Sequence, residues 1–321
     1  MLTVTATSID AHDPLSGLAV GDRPEPTPPQ GWTTVEVRAT SLNHHDLWTL
    51  KGTGISEEQL PIVLGCDAAG IDADGDEVIV HSVIASPDWQ GDETFDPKRS
   101  LLSERHDGTF AEQVCVPRRN LVPKPSALSF EEAACLPTAW LTAYRMLFVN
   151  SGVEPGGTVL VQGGTGGVAT ALLQLGAAAG YRMWATSRTE DKRSQALEAG
   201  AEQAFESGAR LPERVDAVME TVGEATWSHS VKATKPGGTI VISGATTGPN
   251  PPAELTRVFF LQLRVVGSTM GNRQELGQLA RFCELTGVRP TIDSVLPLAE
   301  ARTGFEQLQA GAVFGKIVFT P

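Results

Sequence analysis

Val159–Gly176 reads VLVQGGTGGVATALLQLG, and this stretch decides the fold. A short apolar run ends in glycines and passes directly into small and apolar residues at helical spacing, which predicts a strand, a tight turn and a buried helix over 168–179. At the junction, Gly164, Gly166 and Ala169 form GxGxxA. In this pattern the first glycine permits the turn, and the second removes a side chain so that the backbone can approach a pyrophosphate. The small third residue lets helix and strand pack closely while the helix N-terminus faces the anion. No GKS or GKT follows, so a P-loop is excluded.

The chain on either side repeats the same alternation. Tyr181 to Thr186 reads as a strand, Glu190 to Ala199 as a helix capped by Thr189, Val215 to Met219 as a strand and Ala225 to Ala233 as a helix. Pro236-Gly237-Gly238 reads as a turn into a strand at Thr239 to Ser243. Strands alternating with helices need crossovers and therefore a parallel, doubly wound sheet, an α/β Rossmann arrangement. About 20 residues past the glycines an NAD site usually offers Asp or Glu to the ribose. This chain offers Ser187 and Arg188, with Lys192 one turn on. Two cations and a hydroxyl suit a 2′-phosphate, so the expected cofactor is NADP(H). The alternative is that Arg188 and Lys192 are solvated charges and that Glu190 and Asp191 take the recognition role.

Up to about Val122 the pattern is β-rich, with short runs at Thr33 to Ala39, Glu77 to Ile84 and Phe110 to Val116 broken by turn residues. Pro87 to Asp107 is polar and aperiodic, and is expected to be a long surface excursion or a lid. Helices are expected near Gln274 to Leu285 and Ala299 to Ala310, and a last strand at Lys316 to Phe319. The 321 residues allow about two domains. With 25 basic against 38 acidic side chains the net charge is −13, which disfavours nucleic acid and anionic membranes as partners. Cys66, Cys115, Cys135 and Cys283 contain no CxxC pair, so they read as reduced thiols. Met1 to Gly17 lacks a signal-peptide pattern and no apolar run spans a membrane, so a cytoplasmic protein is expected.

Motifs along nearly the whole chain carry a resemblance: SLNHHDLW from Ser41, LPIVLGCDAAG from Leu60, DGTFAEQVCVP from Asp107, LPTAWLTAYRML from Leu136, VQGGTGGVA from Val161 and FGKIVF from Phe314. In this order they resemble the medium-chain dehydrogenase/reductase superfamily, in its zinc-independent, quinone oxidoreductase-like branch. The resemblance implies a GroES-like catalytic domain of residues 1–122 with 286–321. It also implies a Rossmann cofactor domain of residues 123–285, a nicotinamide between the two, and a homodimer. Zinc-dependent members hold metal at three positions that match Asn43, Cys66 and Thr138 here. Only Cys66 is a competent ligand, so no metal is expected.

The expected reaction is hydride transfer from NADPH to a quinone or other conjugated carbonyl. Alternatives are alcohol or aldehyde dehydrogenation and non-catalytic NADPH binding. The resemblance places Asn43 beside the nicotinamide as an orienting residue, with Asp46 bracing its loop or acting as a solvent-facing helix cap. Thr138 and Thr142 fall near the ring, or pack within a helix. His44, with His45 beside it, is a candidate for proton delivery. Further cofactor contacts implied are Thr165, Gly167 and Val168 at the glycine turn, Thr221 and Val222, and Gly244, Ala245 and Thr246. Lys316 is implied at the cofactor phosphates.

Overall fold

The computed structural model describes residues 1–321, which form two compact units: Met1–Leu141 with Gly271–Pro321, and Thr142–Met270. The boundaries expected at 123 and 285 therefore move to 142 and 270. Amphipathic packing explains the shift. The helix Arg273–Thr286 buries Leu276, Leu279, Ala280 and Cys283, and packs on Leu136–Trp140 and the strand Leu121–Pro123 of the first unit. The Arg273 guanidinium also donates to the Leu121 carbonyl at 2.9 and 3.0 Å.

In the first unit the ten-residue strand Trp32–Ser41 is the hub, pairing antiparallel with Ala68–Asp72, Gln113–Pro117 and Lys316–Thr320. The last of these brings the C-terminal residues to the start of the SLNHHDLW motif, with Val318 opposite Ser41. Alternation along the strand buries Val35, Val37 and Ala39 on one side, as period-2 geometry requires. The run Glu77 to Ile84 is two strands, Glu77–Val80 and Val83–Ile84, because His81 and Ser82 leave the ladder. The excursion after Pro87 is not featureless: it contains a 3-10 turn at Glu93–Phe95 and a strand at Ser100–Leu101 that pairs with Val83–Ile84.

The second unit is a six-stranded, all-parallel sheet with a helix in four of its five connections. The spatial order is Gln203–Glu206, Arg182–Ser187, Thr158–Gln162, Val215–Glu220, Thr234–Ile242, Arg264–Gly267. This is the Rossmann order, with the direction of winding reversing at Thr158–Gln162. Leu160, Trp184, Val218, Ile240 and Val231 fill its core. The expected Pro236-Gly237-Gly238 turn lies inside the strand Thr234–Ile242 as an irregularity, with Val215 opposite Thr234 but Ala217 opposite Thr239. The strand Gln203–Glu206 has little apolar signal and was not expected; parallel pairing to Trp184–Ser187 makes it one. No helix is long and apolar enough to cross a membrane.

Candidate functional site

The glycine turn sits at the C-terminal end of the central strand, and its parts divide the work differently from the motif expectation. The left-handed residue is Gly163, at φ 76°, one position before the motif. Gly164 is the close-packing position: a Cβ there would lie 3.0 Å from the Ala196 Cβ and 3.3 Å from that of Ala185. Its N–H donates to the Thr186 carbonyl at 3.0 Å. A Cβ on Gly166 would meet nothing within 4 Å, so the face over the first turn of the helix Gly167–Ala178 is open. Thr165 is buried, Gly167 and Val168 begin the helix, and Ala169 is buried beneath it.

The other expected cofactor residues of this unit gather on the same rim, since Gln162, Ser187, Glu220 and Ile242 end four adjacent parallel strands. Thr221 and Val222 are zipped to the loop of Gly244, Ala245 and Thr246: the Thr246 N–H donates to the Thr221 carbonyl at 3.4 Å, and that of Thr247 to Val222 at 2.8 Å. Ser187 is buried, with its carbonyl accepting from the Arg193 guanidinium at 3.3 Å. Arg188 is exposed and makes no salt bridge, while Lys192 lies half-buried at the start of the helix capped by Thr189. Thr142 is buried in the helix Leu141–Tyr144 that opens the unit.

Two supporting residues of the rim escaped the sequence reading. Glu220, fully buried, accepts from the N–H groups of Val222 and Gly223 at 2.8 and 3.1 Å, from Thr226 Oγ1 at 2.8 Å and from Ser230 Oγ at 2.6 Å. Gln162 accepts from Thr186 Oγ1 at 2.6 Å and donates to Ser230 Oγ at 3.0 Å. A buried carboxylate needs such partners to offset its desolvation, and here they fix the loop after the strand. The available signal was a polar residue closing an otherwise apolar strand, as in VLVQ and VDAVME.

In the first unit, the helix His44–Leu50 starts where the hub strand ends. The Asp46 carboxylate accepts from the Asn43 N–H at 2.8 Å and from the Gly65 N–H at 3.2 Å, joining the NHHD and LGCD motifs. It is fully buried rather than a solvent-facing cap, and burial pushes its carboxyl up to about 6 against the pull of His45.

Lys316 does not reach outward as expected. Its side chain is 3% exposed, and Nζ donates to the Leu42 carbonyl at 2.7 Å and to Asn43 Oδ1 at 2.5 Å, with Asp67 Oδ2 at 3.5 Å. The other end of the Asn43 amide donates to Asp67 Oδ2 at 2.8 Å and to the Ser41 carbonyl at 3.2 Å. Ser41 Oγ donates to the same carboxylate oxygen at 2.6 Å. The Asn43 amide thus bridges the buried Lys316 and Asp67, with both of its ends engaged.

His44 is exposed on the first turn of its helix, with its ring 6.3 Å from that of Trp48. Shielding by neighbouring chain, then the Lys316 and Lys51 charges, hold its imidazole below the ordinary range, which favours the neutral form at pH 7. His45 is the inward imidazole: Nδ1 lies 3.1 Å from Cys66 Sγ and Nε2 lies 3.1 Å from Glu104 Oε1. Burial opposes a charge on His45, but the Cys66 sulfur, Glu104 and Asp46 outweigh it and hold the ring well above its ordinary value. Burial pushes the Cys66 thiol up despite His45. Because the folded His45 binds a proton more tightly than the unfolded chain does, its stabilisation is complete below its unfolded value near 6.5 and is lost as pH rises through the higher folded value. Glu104→Gln is expected to lower the His45 midpoint, measured by NMR titration of the ring.

The residues at the metal-matching positions fit zinc poorly. Asn43 has its amide committed beside an ammonium, and Thr138 offers only a hydroxyl, Oγ1, buried without a hydrogen-bond partner. His45, Asp46 and Cys66 bring one potential ligand atom each within 4.8 Å of one another. Both Asp46 oxygens and both His45 nitrogens already have partners. Cys135, near this node, is pushed up to about 12 by burial and is an inert thiol.

A GroES-like β unit with a polar node, joined in one chain to a Rossmann sheet with an open glycine turn, defines a nucleotide-dependent dehydrogenase fold. Residues 29–126 match the alcohol dehydrogenase GroES-like domain family, and residues 167–284 the zinc-binding dehydrogenase family. A zinc-type alcohol dehydrogenase-like protein of Schizosaccharomyces pombe is 30% identical over 96% of this chain and 97% of its own. An acryloyl-coenzyme A reductase of Metallosphaera sedula is 28% identical over 95% and 96%. A solved NAD-dependent alcohol dehydrogenase superposes with a TM-score of 0.92 at 34% identity over the whole of both chains. The chain belongs to the medium-chain dehydrogenase/reductase superfamily.

Proposed function

We propose that this protein is a zinc-independent, NADP(H)-dependent reductase of conjugated carbonyl compounds, quinones and enones or enoyl thioesters among them. The observation that carries the reading is the Lys316–Asn43–Asp67 node. A buried ammonium and a committed amide stand at and beside one position where zinc-dependent members hold their metal. A substrate already activated by conjugation needs no metal to become electrophilic, and hydrogen bonds suffice to polarise it. The acryloyl-coenzyme A reductase named above and a quinone oxidoreductase of Lama guanicoe, 26% identical over 91% of this chain, act on acceptors of that kind by name.

The bound cofactor supplies hydride from its nicotinamide. The chain's own part is to bind and orient it: the open face at Gly166 with the N-terminal amides of the helix Gly167–Ala178 accepts pyrophosphate, and exposed Arg188 with Lys192 and Ser187 meets a 2′-phosphate. Arg188→Ala is expected to weaken NADPH about tenfold, the value of one charge-assisted contact, and to leave NADH nearly unchanged. Fluorescence titration of both nucleotides checks it. The proton that completes the reduction comes from solvent or from His44. The deciding assay is loss of reduced-nicotinamide absorbance across quinones, enones, enoyl-CoA thioesters and aldehydes, with elemental analysis for zinc. Activity confined to alcohols and aldehydes with stoichiometric zinc would overturn the proposal.

The second reading, NAD-dependent alcohol dehydrogenation, is favoured by the 34% identity to the solved enzyme of that description. Oxidation of alcohols with NAD as acceptor distinguishes it. The homodimer is proposed through the second unit. The strand Arg264–Gly267 is an unpaired sheet edge, and the helix Leu255–Phe260 buries no residue and exposes Leu255, Phe259 and Phe260. Phe260→Glu is expected to shift the protein from dimer to monomer in sedimentation equilibrium. Four free cysteines fit the cytoplasm expected from the sequence.

A further inference from the structure

The excursion after Pro87, together with the start of the hub strand, flanks a half-open pocket of about 610 Å3 that lies wholly within the first unit. That volume is within the range of small-molecule sites, ~300–1000 Å3. Lys98, Arg105 and Arg119 stand on its walls, and none of its lining residues is acidic. In a chain carrying 38 acidic side chains against 25 basic ones, such a wall concentrates positive potential against the average field.

The nearby acids do not line the pocket and are tied to protein groups. Asp96 accepts from the N–H groups of Ser86 and Lys98 at 2.6 and 2.8 Å. Asp107 accepts from the Val63 N–H at 2.9 Å and pairs with Arg23. Glu104 faces His45. Lys98 and Arg105 are both exposed and make no salt bridge, so their head groups are accessible to a ligand, with Asp96 and Glu104 the nearest acids they act on. Arg119 has a different part. Its guanidinium donates to the carbonyls of Ala85, Ser86 and Pro87, which pins one wall and leaves its charge in place.

One side of the pocket carries two aromatic rings. The rings of Trp32 and His106 are 5.0 Å apart, tilted by 56°, and both residues line the cavity. A planar ring can stack there while an anionic group reaches the cations. Hydrogen bonds of Arg119 and Asp96 tie the walls together.

We propose that this pocket binds a small organic phosphate bearing a flat ring, of the mononucleotide kind, at a site built from residues other than those of the dinucleotide rim. Volume, aromatic lining and sign of charge match that chemistry, and a neutral or cationic ligand would leave Lys98 and Arg105 unused. The loop that supplies Arg105 and His106 turns Glu104 to His45.

The test is calorimetric titration of AMP into the full-length protein saturated with NADPH, which keeps the dinucleotide rim filled. One AMP per chain is expected. Adenosine and ribose 5-phosphate, each carrying half of the recognised chemistry, are expected to bind at least about tenfold more weakly. Arg105→Glu and Lys98→Glu are each expected to weaken AMP by at least about tenfold while NADPH titrates as in the parent. Arg105→Gln, a milder change on the same exposed residue, is expected to weaken it less, and circular dichroism confirms folding of every variant. Absence of AMP binding to the NADPH-saturated protein, or binding indifferent to both charge reversals, overturns the proposal. A failure of NADPH itself to bind strikes the proposed function instead, and AMP titration of the charge-reversal variants still locates or excludes this pocket.

Discussion

Lys316→Met is expected to lower the thermal unfolding midpoint by about 10 °C. The substitution keeps the length of the side chain but removes the ammonium that serves Leu42, Asn43 and Asp67. Asp67 is fully buried, and one of its carboxylate oxygens already lacks a hydrogen-bond partner. Breaking a buried pair by removing one partner costs about 3–5 kcal/mol, because the other charge stays in low dielectric uncompensated. A domain of this size loses roughly 2–4 °C for each kcal/mol. Lys316→Met combined with Asp67→Asn is expected to recover most of the loss, since no unpaired charge then remains. Melting curves by circular dichroism on the single and double variants check this, and equal midpoints for the two would show that the ion pair is not what the ammonium supplies.

Gly166→Asp is expected to separate cofactor binding from stability. The residue has φ −73° and ψ 168°, a conformation open to any side chain, and a Cβ there meets nothing within 4 Å. It is also the N-cap of the helix Gly167–Ala178, where Asp is favoured over Gly by a few tenths of a kcal/mol. The melting temperature is therefore expected to hold or rise slightly. The new carboxylate would face the cofactor pyrophosphate, and like charges brought together cost several kcal/mol. NADPH affinity is expected to fall by about 100-fold or more, at 1.4 kcal/mol per factor of ten. Equilibrium titration alongside a melting curve measures both, and unimpaired NADPH binding would place the pyrophosphate elsewhere.

Much of the second unit was legible because its central strands are buried on both faces, so the apolar runs and glycines mark several of its elements nearly to the residue. The helix expected over Glu190 to Ala199 spans Glu190–Glu198, with Thr189 accepting from the Lys192 N–H as its cap. The misses have a common cause. Gln203–Glu206 is a strand by pairing rather than by composition, and Glu220 and Gln162 acquire their meaning from partners up to 68 positions away. In the first unit, the β strand Leu2–Ala6 and its partner Leu18–Asp22 went unread because their short runs are interrupted by polar and small residues.

The candidate site shows the same division between neighbours in sequence and neighbours in space. NHHD fixed the helix start locally, through Asp46 and the Asn43 N–H. Nothing in that motif indicates that the Asn43 amide is consumed by residues 24 and 273 positions away. The aperiodic stretch from Pro87 to Asp107 was visible as polar, but its cations line a pocket only because Trp32 and Arg119 are brought to it by the sheet.

By itself, the sequence determined that this chain builds a parallel nucleotide-binding sheet, because that follows from residue type and short-range spacing. Tertiary structure decided which residues gather around Asn43 and where the unit boundary falls. Lys316 meets Asn43 and Asp67 because a C-terminal strand pairs with the hub strand, and the helix after Asn272 joins the first unit because its apolar face packs there. Both are long-range packing outcomes, and a local pattern carries no information about which distant segment will complete it.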